Sequence, residues 1–204
     1  MDEQKKKKLD GIVKTEFPGL IQMLEQNLDF ERWGFKRAFS GVGQVTPIII
    51  YESQACRVMF VWREPEHLHD TEAAISVLYG RLHAPNDEEI ITWKDQRCYC
   101  WHDVKKALYF LDGWSATEAV KNKFGLPKVM KQFRESTNKT GLTQLERTAK
   151  MHAAIWEHYG QRLFDLFDLR QPSLWEEYSR FIAEYHRLNS SFSALGEPTP
   201  DKVC

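Results

Sequence analysis

The period of the apolar residues changes once along this chain, and that change limits the folds open to it. In the first half they alternate in twos: Cys56, Val58, Phe60 and Trp62 stand between Arg57, Met59, Val61 and Arg63. In the second half Leu142, Leu145, Ala149, His152, Trp156, Tyr159, Leu163 and Leu166 recur at threes and fours. A period of two belongs to a strand with one face on a core, and alternating threes and fours to a helix with one buried stripe. Strands in succession, with no long helical crossover between them, predict an antiparallel meander covered by helices, the α+β class.

The punctuation refines this. Thr15 to Trp33 predicts an N-terminal helix, with Thr15 as cap, Pro18 in the first turn and Gly34 as the stop. Four or five strands follow: Arg37 to Glu52 with Pro47 at an edge or bulge, Cys56 to Trp62, Ala74 to Leu82, and a hairpin of Glu89–Lys94 with Arg97–Trp101. Asp103 caps a helix that ends at Asp112-Gly113, Ser115 and Glu118 form a capping box, and a short helix follows Pro127. Thr143 and Glu146 open the longest helix, and Ser173 to Glu176, after Pro172, opens the last. The last helix has a seam of Leu174, Tyr178, Phe181, Tyr185, Leu188 and Phe192. The two long helices are expected to form an antiparallel hairpin with Trp156 and Phe181 inside. The chain reads as one domain, 1–204, with residues 115–195 as a possible helical subdomain and 1–12 and 196–204 as loose tails.

Composition sets the class. At 204 residues, 42% hydrophobic and 13% aromatic, one core can be filled, and a mean hydropathy of −0.53 argues against a membrane-embedded chain. Four cysteines are too few for a disulfide scaffold, and Lys5 to Lys8 precede no apolar segment, so a cytoplasmic location is expected.

Charge is unevenly spread. Residues 64–103 carry nine acids against three bases, and residues 115–150 eight bases against three acids. Lys121, Lys123, Lys128, Lys131 and Arg134, with Phe124 and Phe133 interleaved, make a candidate phosphate-contacting face. The acidic balance and a pI near 6.7 argue for weak nucleic-acid contact at most. Protein or small-molecule partners fit the composition equally, and no membrane partner is expected.

Candidate chemistry is sparse. Cys98, Cys100 and His102 alternate on one predicted strand, with Cys56 on another, a donor set that suits zinc. Same-face neighbours on a strand stand about 7 Å apart, however, against about 3.8 Å between sulfurs on a tetrahedral ion, so no metal is expected. Arg81 and His83 share a face at a strand end beside Asp87 and Glu88, a place for an anionic substrate with an acid–base group, although turn-forming residues explain the stretch too. His67, His69 and Asp70 resemble metal ligands in composition only. His152, inside an apolar seam, reads as a core histidine bonded to a backbone carbonyl. Trp156, Tyr159, Trp175, Tyr178 and Tyr185 could line a pocket between the two long helices, but at helical spacing they read as core. There is no phosphate loop, nucleophile elbow or dinucleotide fingerprint, and no cofactor is expected.

The expected function is therefore a non-enzymatic binding or regulatory protein acting through a surface or pocket. One alternative is a hydrolytic enzyme built on Arg81, His83 and His102, and another is nucleic-acid binding through residues 121–150. A polar cleft that gathers those three residues with an acid would favour the enzyme.

Overall fold

The fold is described by a computed structural model covering residues 3–43, 46–63, 73–83, 90–93, 96–99, 101–137, 141–192 and 202–203. It is α+β: a pair of N-terminal helices, a five-stranded antiparallel sheet and a set of C-terminal helices. Helix α1 (Glu3–Thr15) and helix α2 (Phe17–Asn27) precede the strands. The segment expected to be a loose arm is thus helical. Leu9, Ile12 and Val13, at helical spacing, lay one side of α1 on the core, with Leu9 buried. Helix α2 stops at Asn27, earlier than predicted, and a turn carries the chain to Gly34 at φ 72°.

The main sheet is a meander of β1 (Lys36–Val42), β2 (Pro47–Glu52), β3 (Arg57–Arg63), β4 (Ala74–Gly80) and β7 (Trp101–Asp103), in that spatial order. Pro47 begins its strand opposite Val42, where its missing N–H costs least, and a bulge falls between Arg37 and Phe39. Ile49, Tyr51, Val58, Phe60, Ile75, Val77 and Tyr79 face the main core with the helices. Strand β3 was expected to have one apolar face, yet Met59 and Val61 are buried too, in a second cluster with Ile48, Ile50 and Trp101 on the other side. Both sides of the central strands are covered, so their apolar runs are nearly continuous.

The hairpin of β5 (Ile90–Trp93) and β6 (Gln96–Tyr99) forms a separate sheet, joined in parallel by β8 (Lys202–Val203) from the segment expected to be a loose tail. The predicted strand 97–101 is therefore two strands in two sheets. Cys98 and His102 thus lie on different strands, in different sheets.

Helix α3 (Val104–Leu111) is capped by Asp103, whose carboxylate accepts from Lys105 N at 2.7 Å. Helix α4 (Ala116–Lys121) and helix α6 (Gln144–Tyr159) start on complete capping boxes at Ser115/Glu118 and Thr143/Glu146, and helix α5 (Lys128–Thr137) follows Pro127. The predicted long seam is interrupted at Gly160, φ 47°, and continues in α7 (Gln161–Asp165). Helix α8 (Pro172–Phe192) begins at the proline itself, with Trp175 N bonded to Gln171 O, so Ser173 lies inside the helix and is not its cap. Trp156 and Phe181 are both buried, but the long helices take different principal neighbours rather than each other. Helix α6 lies on α2, α5 and β4, and α8 on α3 and α4.

Candidate functional site

Strands β4 and β7 place two polar groups at one end of the main sheet. Tyr79 and His102 are paired across them, and both rings lie against Phe167, with centroids at 6.0 and 5.7 Å. His102 is 5% exposed and enclosed by aromatic rings, with Trp175 and Tyr178 each at 5.5 Å. Arg81 lies two residues past Tyr79, beyond the end of β4. Its guanidinium carbon stands 4.8 Å from the Trp175 ring centroid. The structure therefore brings Arg81 and His102 to one indole and leaves His83 exposed beyond them.

Three buried polar atoms of this cluster have no hydrogen-bond partner among the described residues: Arg81 Nε, His102 Nε2 and the Tyr178 hydroxyl. Burial, with Lys106 and His186 nearby, lowers the His102 pKa to about 3, so the ring is neutral around pH 7. Burial also pushes the Tyr178 phenol well above its ordinary value. At Arg81 burial lowers the pKa while the charge of Asp168 raises it. Asp168 is the acid whose charge acts on Arg81, as that of Asp103 acts on Tyr178, and no periodic pattern marks Asp168 in sequence, because it sits in the turn between α7 and α8. It is buried and takes a two-point contact from Arg170, Nε to Oδ1 at 2.9 Å and Nη2 to Oδ2 at 2.6 Å, which holds its carboxyl below the ordinary range.

Deeper in the core, Trp156 Nε1 donates to the Tyr79 hydroxyl at 2.7 Å, and that hydroxyl lies 3.0 Å from His152 Nδ1. With its oxygen accepting from the indole, Tyr79 is placed to donate to His152. His152 is thus a core histidine, as expected, but its partner is a phenol rather than a backbone carbonyl. Cys56 is fully buried, and burial pushes its thiol up. Among the described residues no three His, Cys, Asp or Glu side chains gather to hold a metal ion. Cys100 and the His67, His69 and Asp70 group lie outside them, as does the Cys98 side chain.

A cleft of about 520 Å³ opens between the end of α2 and β1–β2, lined by Glu25, Asp29, Lys36, Arg37 and Tyr51 among others. Several of its charges are already engaged: Glu25 takes Arg37 at 3.4 Å and the Tyr51 hydroxyl at 3.1 Å. Of the basic region, Lys121, Lys128, Lys131 and Arg134 are exposed. Lys123 is half-buried, with its ammonium on Asn189 Oδ1 at 3.1 Å. No helix among the described residues is long and apolar enough to cross a membrane. Comparison with protein-family models, with curated proteins and with solved structures finds no match.

Proposed function

We propose that this chain is a non-enzymatic binding protein that holds a small anion, a carboxylate or phosphate group, on Arg81 against Trp175. One observation carries the reading: Arg81 lies on an indole with a buried Nε donor that no described residue accepts. A guanidinium held on an aromatic ring is pre-oriented, so less conformational freedom is lost when a planar anion docks on its donors. Asp168, the described carboxylate whose charge acts on Arg81, is itself forked by Arg170, and no hydrogen bond joins it to Arg81 among the described residues.

Catalysis is the weaker reading of the same residues. A general acid–base group works best with a pKa near the operating pH. His102, enclosed by rings and with its pKa lowered to about 3, is not an imidazolium acid at neutral pH and is a weak base, and His83 stands apart at the surface.

The test uses the fluorescence of the protein's own tryptophans, titrated with inorganic phosphate, acetate and succinate. The expected result is a saturable change in wild type that is lost in Arg81→Ala and weakened in Arg81→Lys, which keeps the charge but not the fork. No saturable response to any of these anions, or an equal response in Arg81→Ala, would refute the assignment. Ester or phosphate-ester hydrolysis abolished by Arg81→Ala would move the reading to the enzyme.

A further inference from the structure

Phe124 stands on a turn whose geometry keeps it in solvent. The ring is 92% exposed, and the turn between α4 and α5 that bears it is fastened at nearly every residue. Gly125 N bonds to Asn122 O at 2.8 Å, and Lys123 N to Val120 O at 3.1 Å. The buried Tyr109 ring places its hydroxyl 3.0 and 3.3 Å from the carbonyl oxygens of Asn122 and Gly125 and takes Asn122 Nδ2 at 3.3 Å. Lys105 Nζ donates to Lys123 O at 2.6 Å. A Cβ at Gly125 would stand 2.3 Å from Asn122 Oδ1, so a side chain there would have to displace the Asn122 amide that bonds to Tyr109. An exposed phenylalanine on a floppy loop would need no explanation, but this one is built outward.

Its surroundings are cationic. The Lys123 ammonium lies 5.2 Å from the ring centroid, Lys121 is exposed one turn back, and Lys128, Lys131 and Arg134 are exposed on α5. We propose that Phe124 and these cations form a contact surface for single-stranded nucleic acid. A base stacks on the ring and neighbouring phosphates take the lysines. An anionic membrane fits the charge, but its grip scales with buried apolar area, and Phe124 is the only strongly exposed ring among the described residues, with the Lys123 ammonium beside it. A stacked base leaves that cation on the ring's edge or opposite face, where it adds attraction.

Fluorescence anisotropy with labelled oligo-U and oligo-dT, a DNA duplex and phosphatidylserine vesicles tests this in the full chain. Wild type is expected to bind the single strands at low salt and release them as salt rises. A preference between the two would say whether RNA or DNA is the source. Phe124→Ala should weaken binding about 5- to 150-fold, the worth of one stacked base. Phe124→Trp should bind like wild type and be quenched by the strand. Lys128→Ala with Lys131→Ala should lower the slope of log affinity on log salt by about 1.4 in magnitude, two phosphates' share on a single strand. Equal affinity of Phe124→Ala and wild type would overturn the proposal, as would equal binding of duplex or vesicle binding without strand binding. Phe124 and both lysines are exposed, so unchanged melting of the variants separates lost binding from lost fold.

Discussion

Trp156 donates its indole N–H to the hydroxyl of Tyr79, joining a helix to the sheet through the middle of the core at 2.7 Å. Both side chains are almost wholly buried, and the same hydroxyl reaches His152 at 3.0 Å. A buried chain of this kind ties helix register to strand register, because each member satisfies the next.

The first prediction concerns that chain. Tyr79→Phe keeps the ring but leaves Trp156 Nε1 and His152 Nδ1 buried without a partner, at a cost of about 1–3 kcal/mol for each. Trp156→Ala removes the indole and opens a cavity beside Phe30, Phe35 and Phe164, with an expected loss of about 3–5 kcal/mol. Phe181→Ala, packed on Phe110, Tyr178 and Tyr185, is also expected to lower the melting midpoint sharply. Exposed Lys150→Ala should leave it near wild type. Thermal denaturation of the four variants decides the point, and a neutral Trp156→Ala would contradict the packing described.

The second follows from two neutral histidines. Burial lowers the folded pKa of His102 and His152 from 6.5 to about 3. The unfolded chain takes up these protons near pH 6.5 and the folded chain near 3, so protonation in that window favours unfolding. Stability from these groups is therefore complete above about pH 6.5 and declines as pH falls toward 3, by up to about 1.4 kcal/mol per pH unit for each ring. Urea midpoints at pH 8, 6, 5 and 4 should fall over the last three. His152→Gln should show a shallower fall, and an unchanged slope in that variant would mean the ring titrates alike in both states.

The third concerns Gly160. Its φ of 47° is a conformation that L side chains rarely adopt, and a Cβ there would stand 2.8 Å from Trp33 Cη2. Gly160→Ala should destabilise by more than about 1 kcal/mol, whereas Gly19→Ala, with open space around it in α2, should be neutral or slightly stabilising. Chemical denaturation of both compares strain with helix propensity directly, and equal midpoints would show that the turn at 160 relaxes freely.

Local signals were legible wherever the energy is local. Asp103, Ser115, Thr143 and Gly113 could be read as helix ends because a cap is settled within four residues of chain. The seam through Gly160 read as one helix because the spacing of threes and fours runs on across it to Leu163 and Leu166, although a glycine is itself a local stop signal. The strand after Gln96 read as one element since nothing between Tyr99 and Trp101 marks the passage from one sheet to another. At the site, Arg81 and His102 stood out as polar residues at strand ends. Asp168 did not, since a charge in a two-helix turn looks like any solvated loop residue until its burial is known.

The main sheet is left at Gly80 and rejoined at Trp101, and those two residues are partners across the β4–β7 pairing. Everything between them, including Arg81 and the β5–β6 hairpin, is in topological terms an insertion whose two ends already touch. Closing such a segment costs little more when it is long than when it is short. The excursion can therefore change in length at little entropic cost while β4 and β7 keep their register. The indole and the histidine belong to the fixed frame, and the arginine above them to the exchangeable part.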